Sequence, residues 1–323
     1  MRHARQRGVA LLVAIVIFAI ATTVAAAVTY SKTMTARRAY ATFSMEQALQ
    51  AGMAAEALAS IALEDGASKS TTDLTQDWAQ ALDPLEIPDS GIWIQSKVED
   101  MQGRFNLNSI IEEDAATHTF KPNQHQWEIF TNLLRDLDID VRYADLLVDW
   151  IDPDNQPASA GGEDTLYLSQ NPPYRPPNTF ITHTSELLAL PGFGAENYRK
   201  IAPYVTALPQ SARFNPCTAN KLMLDEALND PANQSQYRNM TDEDLATQRE
   251  KGCWPTKSVY TGVITSNSQL KQKVDDAVLE TSEWFRLRTN IRIGTAEYVL
   301  YSLLYREPGS NKIRTMQRSF GSE

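Results

Sequence analysis

What this chain has little of narrows its chemistry first. It has four histidines, and none is placed for catalysis: His3 lies at the extreme start, and His118, His125 and His183 have neither a convincing partner nor a metal-ligand spacing. Forty Asp and Glu residues can always be paired on paper for acid–base work, so such pairs prove little, and no catalytic set emerges. Positive charge is scarce too: 30 Lys and Arg leave a net charge of −10, a poor match for nucleic acid or an anionic membrane. There are two cysteines, Cys217 and Cys253. An even count favours one disulfide in an oxidising compartment, the other reading being two buried thiols. Over residues 9–31 charge is missing altogether.

That charge-free run is what the rest is organised around. About 20 apolar residues in a helix span a bilayer core of roughly 30 Å. Arg2, Arg5 and Arg7 precede it, so the start stays cytoplasmic and the rest is exported. A cleavable signal peptide would need a shorter apolar core and a site such as Ala25–Ala27. The other reading puts processing before the run, because a basic leader ending in Gly8 and followed by a long apolar helix resembles the signal of type IV pilins and pseudopilins. The resemblance implies that a prepilin peptidase cuts between Gly8 and Val9 and leaves the helix on the mature protein. Losing three arginines then gives 27 bases against 40 acids, or −13. Val13 becomes the fifth mature residue, where most pilin-like subunits carry Glu. A bare carboxylate in hydrocarbon costs several kcal/mol, so a subunit with Val13 has no charge to place against a neighbour and suits a position with nothing above it.

Residues 32–62 are rich in Ala, Met, Glu and Gln, with Phe43, Leu49, Met53, Ala57 and Ile61 at near-helical spacing. One helix is therefore expected over about 9–63, its 51–62 part apolar enough to pack on a sheet. Residues 65–89 break it. Residues 92–107 read as extended, with Ile92, Ile94 and Val98 on one parity and Gln95, Lys97 and Glu99 on the other. Helices are expected over 127–137, 141–151, 184–190 and 195–208, around a loop over 152–180 rich in Pro, Gly and Asn. A structureless stretch of that length is usually functional or ligated. Arg213-Phe214-Asn215 echoes Arg104-Phe105-Asn106, as rims where a helical insertion enters and leaves a sheet domain. At the end, Phe285, Leu287, Ile291 and Ile293 alternate with polar residues, and 297–306 and 312–320 flank a Pro308-Gly309 turn. The expected class is α+β: a long helix on an antiparallel sheet, split by an all-helical insertion. The expected division is leader 1–8, membrane helix 9–30, helix continuation and first sheet part 31–110, helical insertion 111–208, and remaining sheet 209–323.

With these elements in place, the chain resembles general secretion pathway protein K, the K-type minor pseudopilin of bacterial type II secretion. The marks are Arg7-Gly8-Val9-Ala10-Leu11-Leu12, Val13, the run Gly103-Arg104-Phe105-Asn106-Leu107-Asn108, and Asp149-Trp150-Ile151-Asp152-Pro153-Asp154. Further on come Gly162-Glu163-Asp164, Tyr167, Ser185-Glu186-Leu187, Leu190-Pro191-Gly192 and Ala202-Pro203-Tyr204-Val205-Thr206. The resemblance implies a pilin-like fold with a large helical insertion and a complex with the I-type and J-type minor pseudopilins. It also implies a place above the other pseudopilins at the pseudopilus tip, a single inner-membrane pass with the bulk periplasmic, and no enzymatic activity. A minor pilin of a type IV pilus and an anchored calcium-dependent periplasmic hydrolase are the alternatives; the hydrolase accounts for none of Gly8, Val13 and the long helix.

Asp149, Asp152, Asp154, Glu163 and Asp164 gather five carboxylates within sixteen positions. With Asp152 as position 1 of a twelve-residue loop, Asp154, Gln156 and Glu163 take positions 3, 5 and 12 of an EF-hand. Pro157 stands where that motif needs Gly, and no helical pattern follows Glu163, so the arrangement is EF-like only. By spacing alone a solvated acidic loop is an equal reading. The resemblance, whose family binds calcium in its helical domain, implies Ca²⁺ here, one or two ions, with these five acids and Gln156 as candidate ligands. The Leu190–Gly194 turn is like a helix–hairpin–helix turn, and on an acidic exported chain it reads as packing, with no nucleic-acid partner.

Overall fold

The computed structural model describes residues 7–80, 84–114, 118–228, 237–264 and 267–321; most of the expected leader, residues 1–6, lies outside them. Helix α1 (Arg7–Gly66) is the longest element, 60 residues and about 90 Å. Strands β1 (Leu85–Ile87), β2 (Ile92–Asp100), β3 (Phe105–Asn106), β4 (Ile111–Glu113) and β5 (Phe120–Pro122) follow. Next come helices α2 (Gln124–Asp136), α3 (Arg142–Ile151), α4 (Asp164–Leu168) and α5 (Gly194–Ile201), then strand β6 (Val205–Thr206). Helices α6 (Lys221–Glu226), α7 (Asp242–Arg249), α8 (Lys257–Gly262) and α9 (Ser268–Ala277) precede strands β7 (Trp284–Ile293), β8 (Ala296–Arg306) and β9 (Ile313–Phe320).

The first half of α1 is exposed on every side and apolar enough to cross a membrane. Its threonine hydroxyls are met within the helix: Thr22 donates to the Ala19 carbonyl at 2.9 Å and Thr29 to the Ala25 carbonyl at 2.8 Å. From Ser44 onward one stripe is buried, made of Ala48, Ala51, Ala55, Ala59 and Leu63. This differs from the stripe picked out by periodicity. Phe43, Met53, Leu58 and Ile61 face outward, each more than 40% exposed. Small side chains let a helix approach a sheet closely, so alanines win the inner face, and at Gly52 a Cβ would overlap Leu300.

The sheet has five antiparallel strands in the order β1-β2-β7-β8-β9. Its inner residues Ile94, Val98, Phe285, Leu287, Ile291, Leu300 and Leu304 form one core with the alanine stripe. β2 and β7 are neighbours although the whole helical part lies between them in sequence. The join is a buried polar knot. Asp100, where β2 ends, accepts from Ser282 Oγ (2.6 Å), Thr218 Oγ1 (2.7 Å), Asn215 Nδ2 (3.0 Å) and the Gln102 amide (2.9 Å). The two echoed triplets both stand at this neck: Gln102 Nε2 donates to the Arg213 carbonyl (2.7 Å), and Asn106 bridges Leu208 N and the Pro209 carbonyl, 3.0 Å each.

The helical part has its own core, built on Phe130, Leu133, Leu134, Leu147, Tyr167, Ile201, Met223, Leu224, Tyr237, Tyr260 and Val274. Three details depart from the sequence reading. The helix expected over 195–208 stops at Ile201, because Pro203 cannot continue it, and Val205–Thr206 instead pairs in parallel with Phe105–Asn106. A short helix, α4, does follow Glu163; five residues are too few to show a period. Where the sequence reading ends the insertion at 208, the helical core continues through α6–α9 to Val278. Cys217 and Cys253 are joined in a disulfide beside the neck, and the buried Arg249 next to it donates to the carbonyls of Pro216 and Ala219, 2.7 Å each.

Candidate metal centre

The acidic loop is built on α3. Its inner face buries Tyr143, Leu146, Leu147, Trp150 and Ile151, and with them the fully buried Asp149. A buried carboxylate must be hydrogen-bonded, and Asp149 is: it accepts from the Ala158 amide at 2.9 Å and the Gly162 amide at 2.6 Å. One turn earlier Asp145 accepts from the Ala160 amide (2.9 Å) and from Trp127 Nε1 (2.8 Å). Two acids at i and i+4 on one helix thus hold the backbone of the loop that follows it. Gly161 lies against the Asp149 carboxylate, and a Cβ there would overlap it.

This curl brings Asp152, at the end of α3, together with Asp154 and with Glu163, at the start of α4. One carboxylate oxygen from each lies within 4.8 Å of the others. Asp152 and Glu163 are 5% and 6% exposed, and Asp154 is exposed. Both oxygens of Glu163 and Oδ1 of Asp152 are buried without a hydrogen bond. So is Oδ1 of Asn178, whose Nδ2 donates to the Asp154 carbonyl at 3.1 Å. Burial first, and then the neighbouring carboxylates, push Asp152 and Glu163 up to about 7. Burial raises Asp149 as well, against the two backbone hydrogen bonds that favour its charged form. Bare buried carboxylate oxygens are costly unless a cation meets them. An all-oxygen set of this kind suits a hard ion.

Of the six candidate ligands, then, three converge: Asp152, Asp154 and Glu163. Asp149 stands behind them and shapes the loop. Gln156 meets Asp154 through its backbone amide, which donates to Oδ1 at 2.7 Å. Asp164 is ion-paired with Arg175 at 3.1 Å. Asp145 and Asn178 were not singled out in the sequence. The i, i+4 relation of Asp145 to Asp149 was a readable sign; Asn178, fifteen residues beyond Glu163, carried none.

A second surface is offered by α1 itself. Val9 and Val13 lie in its exposed apolar half, and Phe43, Leu49, Ile87 and Ile92 line a shallow apolar groove between α1 and the first strands.

Residues 103–210, which hold β3 to β6 and α2–α5 and leave α6–α9 outside, match the family described as type II secretion system (T2SS), protein K. The type II secretion system protein K of Pectobacterium carotovorum subsp. carotovorum is 30% identical over 331 residues, covering 99% of this chain and 98% of its own length. That of Pseudomonas aeruginosa is 28% identical over 328 residues, covering 98% and 93%. Among solved structures, a chain of the GspK-GspI-GspJ complex from the type 2 secretion system of enterotoxigenic Escherichia coli has a similar fold. Its TM-score is 0.73 at 23% identity, over 88% of this chain and 100% of that one. The long helix, the antiparallel sheet and the helical insertion are the pilin-like α+β fold of that neighbour. With 30% identity along nearly the whole length of a relative, this chain belongs to the type II secretion system protein K family.

Proposed function

We propose that this minor pseudopilin sits as a single copy at the tip of the pseudopilus, where it starts or caps assembly in support of protein export. The observation that carries this reading is the division of α1. Its lower half is exposed and apolar, and on its upper half the sheet takes only the alanine stripe. Phe43, Met53, Leu58 and Ile61 are thereby left for helices of neighbouring subunits. Val13 spares the subunit a carboxylate that would need a partner in the membrane. The helical part makes the head too bulky to repeat along a tightly packed shaft, so it blocks addition above. The solved relative is a complex with GspI and GspJ; we assign this chain corresponding I-type and J-type partners, with the other pseudopilins below.

The same reading has a prepilin peptidase cut between Gly8 and Val9, with the amino end cytoplasmic, one inner-membrane pass and a periplasmic head. Asp152, Asp154 and Glu163, with Asn178, hold a calcium ion whose positive charge offsets their repulsion and ties α3 to α4. The ion is structural, and its support is the set of buried carboxylate oxygens without hydrogen bonds.

Gold labelling of the head on isolated pseudopili tests the placement. One label at one end is expected; labels spread along the shaft overturn the tip reading. Amino-terminal sequencing of the membrane-extracted protein should begin at Val9, and a start after Ala27 overturns the pilin-type processing. Loss of the protein should impair secretion and leave pseudopili abnormal in number or length.

A further inference from the structure

Helix α1 covers one face of the five-stranded sheet. The opposite face, at the end away from the neck, is open and forms a grid that can be read from strand register. Its rows are Trp93–Arg292–Glu297, Gln95–Asn290–Val299 and Lys97–Arg288–Tyr301, across β2, β7 and β8. Lys97 and Arg288 stand directly opposite one another. Like charges in that relation destabilise a sheet, and here they occur on a chain that carries ten more acids than bases. Lys97 is relieved by Glu99 at 2.9 Å. Arg288 and Arg292 are exposed, and among the described residues neither has an ion-pair partner. Their guanidinium carbons instead lie over aromatic rings, 6.0 Å from the Tyr301 centroid and 5.5 Å from the Trp93 centroid. The planar fork of a guanidinium beside such a ring matches a carboxylate bidentately. Arginine, tyrosine and tryptophan are also the side chains most enriched at binding hot spots.

From this grid we propose that the open sheet face docks an acidic segment of another protein, with two carboxylates about 13 Å apart meeting Arg288 and Arg292. Trp93 and Tyr301 supply its apolar contact. The pattern favours a polypeptide over a dense polyanion. The two cations are separated by the neutral row Gln95–Asn290–Val299, which matches two spaced carboxylates better than a continuous run of phosphates or sulfates. The face lies across the sheet from α1, so the proposal is independent of the tip placement and of partners bound through α1.

The test uses the full chain in neutral detergent and fluorescence anisotropy of a labelled (Glu-Val)4 peptide across a range of NaCl concentrations. Binding that weakens with salt is expected. Arg288→Ala with Arg292→Ala should weaken it about tenfold. Arg288→Lys with Arg292→Lys should recover only part, because lysine keeps the charge and loses the fork. Arg199→Ala, an exposed cation on α5, should leave it unchanged. The proposal is overturned if the wild type does not bind the peptide at low salt, or if the double alanine variant, with an unaltered melting curve, binds as well as wild type. Tighter binding of dextran sulfate or of anionic phospholipid vesicles through the same two arginines overturns the choice of a protein partner.

Discussion

Glu56 of α1 and Arg318 of β9 form a two-pronged ion pair across the helix–sheet interface, Nε to Oε1 at 2.8 Å and the terminal nitrogen to Oε2 at 2.7 Å. Ser302 Oγ (2.6 Å) and Thr315 Oγ1 (3.1 Å) complete the carboxylate's partners. Among the described residues Glu56 is the one charged side chain buried in the alanine stripe, and it binds the final strand to α1.

Arg318→Ala leaves Glu56 buried without its counter-charge and should cost about 1–3 kcal/mol. Denaturant unfolding measures it. Glu56→Gln with Arg318→Met should lose less than Arg318→Ala alone, since neither partner is then left as a buried charge.

Acid should loosen the sheet through Glu99. Burial alone would raise this carboxyl, but the charge of Arg286, hydrogen bonds from Lys97 and Arg286, and the charge of Arg104 outweigh it and hold it down to about 2. Because the folded value is depressed, its contribution is full above the unfolded value near 4.3 and is lost as pH falls toward 2. Melting temperatures from pH 5 to pH 2.5 should fall more steeply for wild type than for Glu99→Gln.

Chelation should destabilise the helical part. At a calcium concentration 100 times the dissociation constant, one site contributes about 2.7 kcal/mol. Glu163→Ala should melt where the chelated wild type melts and no longer respond to chelator. Equal melting of wild type with and without chelator, at matched ionic strength, would remove the structural ion.

Asp149 should behave as a positioning residue. Asparagine in its place sets an N–H₂ group against the amides of Ala158 and Gly162, both of them donors. Asp149→Asn should weaken calcium binding about 10–100-fold, as loss of such support does in metal sites generally. Titration calorimetry should still give the same number of ions per chain.

The disulfide closes a loop between positions 36 apart, which in the chain-entropy model contributes about 3–4 kcal/mol. Cys253→Ser should lower the melting temperature of the head, and thiol titration of the native protein should find no free thiol.

The sequence by itself settled what depends on local composition and period. The charge-free run after Arg7 marks the exposed apolar half of α1, strict alternation marks β7, and the Pro308-Gly309 turn marks the β8–β9 hairpin. The crowding of acids between Asp149 and Asp164 marks the acidic loop. What it left open is set by distance in space. Periodicity showed that α1 has apolar residues but not which stripe the sheet would take. Only packing decides that a close helix–sheet approach selects Ala48, Ala51, Ala55 and Ala59 and turns Phe43 and Ile61 outward. Composition could not separate Asp149 from Asp152 and Glu163, since all are acids in one short stretch. The fold separates them, because Asp149 meets two backbone amides, while both oxygens of Glu163 and Oδ1 of Asp152 are buried with no hydrogen bond among the described residues. Nor could position in the chain show that β2 and β7 lie side by side, or that residues 221–277 fill the core begun by α2 and α3. Those contacts join residues far apart in the chain, and Asp100, Asn215 and Ser282 meet at the neck where the sheet and the helical part join.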